Sequence, residues 1–159
     1  MRLSVLISMS VVLVSGVALA DGAHFNSATA TLSNDGKLAV SFKEAGLGSN
    51  ANIDYLASAN GTANYGCVNK GGNNPQATNK RAATGPVTAG ATYASGKNGS
   101  ISQTLTLVPP PAPADFSCPG GQNTVLADVS YTNVAITDAT TPVTQAVTGS
   151  FTKTFYTFK

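Results

Sequence analysis

Three stretches decide the fold class: Phe25-Asn26-Ser27-Ala28-Thr29-Ala30-Thr31-Leu32, then Asn34-Asp35-Gly36, then Leu38-Ala39-Val40-Ser41-Phe42. Leu38, Val40 and Phe42 alternate with Ala39, Ser41 and Lys43, the period of two that sends successive side chains to opposite faces of a strand. Asp35-Gly36 joins the two runs, and glycine takes the positive φ of a tight turn without steric cost. The segment reads as a β-hairpin.

The same period recurs toward the C-terminus. Ile53, Tyr55, Ala57 and Ala59 share one face, and Ala63, Tyr65 and Cys67 resume beyond Asn60-Gly61, either as two strands turning there or as one bent strand with a bulge. Val87, Ala89, Ala91 and Tyr93 alternate, Gly96 to Gly99 turns, and Ile101, Leu105 and Leu107 follow, which reads as a second hairpin. Val125, Ala127, Val129 and Tyr131 alternate before the phase slips to Val134 and Ile136, the mark of a bulge near Thr132-Asn133. Val143 to Val147 returns, and the end strand Phe151 to Phe158 carries aromatic rings on both faces. No stretch holds a helical period. The expectation is an all-β, antiparallel β-sandwich, immunoglobulin-like or a related Greek key, with about eight or nine short strands.

The chain has 159 residues, enough for one domain. Residues 1–20 read as a secretory signal peptide, with Arg2, an apolar run from Leu3 to Val14 and the small-residue end Ala18-Leu19-Ala20. Residues 21–159 are then the single domain, secreted and extracellular, and no later apolar run approaches the length of a membrane span. Only 10% of residues are charged, with nine basic against seven acidic. Phosphate binding needs clustered Lys and Arg, so no nucleic acid is expected as a partner. Cys67 and Cys118 form a disulfide in an oxidising destination.

Two segments lack the strand period. Residues 69–86 have no apolar pattern and read as one long loop, the first choice for a recognition surface. Asn69, Lys70, Asn73, Asn74, Gln76, Asn79, Lys80 and Arg81 are its candidate binding residues. Residues 109–119, opening on Pro109-Pro110-Pro111-Ala112-Pro113, read as an extended crossover between sheets, because proline cannot donate to a ladder.

Chemistry-bearing residues are scarce. His24 is the only histidine and lies near the mature terminus, so neither a His-dependent nucleophile nor a metal centre is expected, and no cofactor is implied. A glycoside hydrolase needs two carboxyl groups flanking the bond, for which Glu44 with Asp54 or Asp128 is the available pairing. A carbohydrate-binding module without tryptophan would use Tyr55, Tyr65, Tyr93 or Tyr131 beside the amide-rich loop. Asn60-Gly61-Thr62 and Asn98-Gly99-Ser100 match the N-glycosylation pattern and fall in expected turns. A complete strand programme with so little catalytic inventory points to a non-enzymatic protein. It would act by surface binding to an extracellular protein or a cell-wall polysaccharide, with the sugar-binding module and the acid-pair hydrolase as alternatives.

Overall fold

The computed structural model describes residues 22–71 and 79–158. Among these residues eight strands form two antiparallel sheets: β1 (His24–Leu32), β2 (Leu38–Ala45), β3 (Asn52–Asn69), β4 (Lys80–Ala94), β5 (Ile101–Leu107), β6 (Gln122–Asp138), β7 (Val143–Ala146) and β8 (Phe151–Thr154). One sheet has the order β1-β2-β5; the other runs β4-β3-β6-β7, with β8 also paired to β6. Against the seven strands of a constant-type immunoglobulin sandwich, the fourth strand has moved from the sheet of the first, second and fifth to the edge beside the third.

The first hairpin forms as the sequence implies. Leu32 pairs with Leu38 across a turn in which Gly36 has φ +84°. Leu38, Val40 and Phe42 face inward against Ile53, Tyr55, Ala57 and Ala59 of β3 and Val129, Tyr131, Val134 and Ile136 of β6. Phe42 and Tyr55 meet at 4.5 Å between ring centroids and Phe25 and Phe42 at 6.0 Å, so aromatic contacts add to apolar burial at this end. The Val134 phase slip is a bulge: Ser58 pairs with Ala135 but Asn60 with Thr132, and Asn133 takes a φ of 52°.

Four expectations are corrected. At Asn60-Gly61 the alternative of one strand with a bulge holds and the turn does not, because β3 runs through it for 18 residues and the extra residue sits on its partner β6. The Asn60 acceptor triplet therefore lies in mid-strand, exposed on the outer face, while Asn98 does occupy a turn. Val87–Tyr93 and Ile101–Leu107 are not a hairpin: β4 pairs with β3 and β5 with β2, so Gly96 to Gly99 turns a corner between sheets. The loop is shorter than 69–86, since Lys80 to Pro86 pairs with Asn60 to Gly66 in unbroken register. That stretch lacks an apolar period because it runs beyond the opposing sheet, so backbone pairing rather than side-chain burial makes it a strand. The end strand stops at Thr154, although the Phe155 and Tyr156 amides still donate to Ala127 O of β6 at 2.7 and 3.1 Å.

Length mismatch explains the rest of the architecture. At about 3.3 Å per residue, β3 spans roughly 60 Å while β2, with eight residues, spans under half of that. The overhang needs its own cover. Its inner face receives the proline-rich connector, which crosses from β5 in one sheet to β6 in the other as expected: Tyr65 Oη donates to Pro110 O at 2.6 Å, and Cys118 is bonded to Cys67. Its outer face receives the C-terminal segment at Gly66.

Candidate functional site

The overhanging end brings several polar and aromatic groups together on one surface. A concavity of about 420 Å³ on the outer face is lined by Asn64, Lys80, Arg81, Asp128, Tyr156 and Phe158 among others. Strand alternation places Asn64, Asp128 and Lys80 on one face, because Asn64 is opposite Asp128 on β6 and Ala82 on β4, with Lys80 one row further along; Arg81, opposite Tyr65, borders the concavity from the neighbouring row. Asn64 Nδ2 donates to Asp128 Oδ1 at 2.7 Å. Tyr156 is the exposed aromatic here, at 39%.

Phe158 is a structural plug rather than a platform. A Cβ on Gly66 would stand 2.1 Å from its ring, and Lys80 Nζ lies 4.7 Å from the ring centroid. Gly66 on one side and the ammonium on the other thus engage Phe158. Gly66→Ala is therefore expected to expel the C-terminal segment, at a cost of about 1–3 kcal/mol. Urea denaturation and carboxypeptidase trimming of the intact protein check this; unchanged stability with a protected terminus would show that the ring is not seated there.

Of the eight expected binding residues, Lys80 and Arg81 line this concavity, and Asn79 lies half-buried at the start of β4. Asn69 ends β3, where its side chain accepts from the Gly71 amide at 3.1 Å, and Lys70 is exposed in the turn that follows. Asn73, Asn74 and Gln76 lie outside the described residues. Arg81 pairs with Asp115 of the connector at 3.2 Å, an exposed ion pair of little energetic weight. Asn64 and Tyr156 carry no periodic or motif signal in the sequence. Only Gly66, a glycine inside a strand, hints at a close approach.

The four tyrosines expected as a sugar platform are not one. Tyr55 and Tyr131 are buried, and Tyr65 and Tyr93 are half-buried. Tyr131 Oη donates to Gly36 O at 2.7 Å, and burial, with Tyr65 and Asp35 adding to it, pushes its hydroxyl up to about 12.

The carboxylates separate as well. Asp54 and Asp128 face outward from the five-stranded sheet, ten residues apart along β3 when Asp128 is placed by its partner Asn64, which is roughly 33 Å. The carboxyl pairs of glycosidases stand about 5–9.5 Å apart. Glu44 points the other way, fully buried between the sheets, where Tyr55 Oη donates to its Oε2 at 2.6 Å and its Oε1 has no hydrogen-bond partner. Burial raises its carboxyl above the ordinary range; the Tyr55 hydrogen bond opposes this and nearby Asp138 reinforces it. Asp138 is also fully buried, its oxygens accepting from the Thr140 and Thr141 amides and the Thr141 hydroxyl. No opening connects this acid cluster with solvent, since both carboxyl groups are 0% exposed. Among the described residues no group of three or more His, Cys, Asp or Glu could hold a metal ion, and no helix is long and apolar enough to cross a membrane. Comparison with family models, curated proteins and solved structures gives no significant match to this chain.

Proposed function

We propose that this is a secreted, non-enzymatic binding protein whose contact surface is the overhanging end of the five-stranded sheet. One observation carries the reading: the open concavity, the disulfide and both strand ends of the β3–β4 connection lie at the same end, while the paired acids are sealed in the core at the other. Rigid strands displaying a loop and a polar concavity make a recognition surface. The disulfide fits an extracellular destination, and residues 1–20 would direct the chain there. The partner is an extracellular protein or a cell-wall polysaccharide.

Carbohydrate is the second reading, favoured by the Asn64–Asp128 pair beside Tyr156. An amide and a carboxylate take sugar hydroxyls while an aromatic face covers the ring. The test is retention of the secreted, mass-verified protein on insoluble chitin, cellulose, β-glucan and peptidoglycan, with Asp128→Ala and Tyr156→Ala beside it. Saturable retention lost in both variants supports sugar recognition at this site. Absence of retention on every polymer removes the carbohydrate reading and directs cross-linking on intact cells toward a protein partner. In that experiment the same two variants should lose the cross-link, and a cross-link indifferent to both would overturn the placement of the surface.

A further inference from the structure

Strand β4 is a long edge with little of the usual protection. It is 15 residues long and, among the described residues, pairs only with β3. Its register shows no bulge, and from Ala82 to Ala94 it carries no charged side chain. Natural edges are blunted by short length, charge, proline or bulges, and here the sole such device is Pro86. The other edges are shorter: β1 has nine residues and a bulge after Phe25, β5 has seven, and β7 and β8 have four each.

The backbone groups that β4 leaves free can be identified. Asp54 directs its N–H to Thr140 Oγ1 and its C=O to the Ala139 amide, both on the β6 side. Its pair with Thr92 therefore exchanges no bonds, and the N–H and C=O of Thr92 face away from β3. With no bulge between, the same holds for Gly90, Thr88 and Pro86, which also explains why a proline is tolerated there.

We infer that two copies of this chain associate edge to edge through β4, antiparallel and two-fold symmetric about Gly90, joining their five-stranded sheets into one. In this register Gly90 meets its own copy, Thr88 meets Thr92 on the outer face, and Val87 meets Tyr93 and Ala89 meets Ala91 on the inner face. Every one of these positions pairs residues of matching orientation, as an antiparallel ladder requires. The Thr–Thr contacts repeat a cross-strand hydroxyl pairing this molecule already uses at Thr62–Thr84 and Thr137–Thr144, and the aromatic–β-branched contact is a favourable cross-strand pair. Centring on Thr88 instead would bring Pro86 into the middle of the ladder and lose donors there. Centring on Gly90 leaves Pro86 at its end, opposite Ala94, and leaves Lys80 and Arg81 outside it, so no like charges meet. An isologous contact of this kind closes at two copies.

Sedimentation of the full mature chain over a concentration series, with amide exchange followed by NMR, tests this. The amides of Thr88, Gly90 and Thr92 should exchange fast when dilute and slow about tenfold or more as dimer forms, while Ala89 and Ala91, already directed at β3, stay protected throughout. Thr88→Lys should weaken association by at least about tenfold. A wild type that stays monomeric, or a dimer in which those three amides remain fast, overturns the inference. Should Thr88→Lys fail to fold, the concentration dependence of the three amides in the wild type decides alone.

Discussion

Replacing Cys67 and Cys118 together by alanine should lower the free energy of unfolding by about 4 kcal/mol, the closure entropy of a bridge enclosing a long loop. The two cysteines are 51 positions apart, and the enclosed loop contains all of β4 and β5. A domain of this size has about 5–15 kcal/mol in total, so the loss is a large share. The effect should also be uneven. The bridge fastens the connector over the overhang, where the three-stranded sheet no longer covers β3, β4 and β6. Removing it should open residues 64–69 and 80–85 before the paired core at 53–59. Urea denaturation gives the total and amide exchange gives the order of opening; reduced wild-type protein should behave like the double variant. A loss below about 1 kcal/mol would mean that the unfolded chain is already held compact across this loop.

The second large effect concerns Glu44. Its fully buried carboxyl has one partner on Oε2 and none on Oε1, with buried Asp138 nearby. Because its folded-state affinity for a proton is raised above the ordinary value of 4.5, the folded protein binds more protons than the unfolded chain. The stability this contributes is fully present below the ordinary carboxyl range and is lost as pH rises through the raised value, by up to about 1.4 kcal/mol per pH unit. His24 on β1 opposes the shift, while Tyr55, whose own hydroxyl is pushed up by burial and by Glu44, stays a donor throughout. Glu44→Gln should flatten this slope and stabilise the protein near neutral pH by about 1–3 kcal/mol, since a buried charge short of partners is removed. Tyr55→Phe should do the opposite, removing the donor and steepening the fall. Urea midpoints from about pH 4 to about pH 8 for the three proteins check both. A Glu44→Gln variant with the wild-type slope would assign the pH dependence to another group.

Cross-sheet packing separates what was legible in the residues from what was not. The hairpin at Gly36, the inward faces of β2, β3 and β6, the bulge at Asn133 and the connector between sheets all rest on local rules: period two, positive φ and the missing proline donor. Those rules fail from Lys80 to Pro86, where a strand is held by its neighbour's backbone and needs no apolar pattern. At Asn60-Gly61 a turn signal was overridden by continuous pairing with β4, while the break in register fell on β6, and at Gly96 to Gly99 the residues of a turn could not say whether it stayed within one sheet.

The candidate site divides in the same way. Lys80, Arg81 and Asp128 stand out in the sequence as sparse charges, but Asn64, Tyr156 and Phe158 acquire a role only when β6 lies beside β3 and the terminal segment folds onto Gly66. By itself the sequence determined an all-β, antiparallel chain, because strand period and turn chemistry are properties of neighbouring residues. Tertiary structure alone decided which acids are buried together, which strand remains an open edge and which end carries the concavity. Those outcomes depend on the pairing of segments far apart in the chain and on the unequal lengths of two facing sheets.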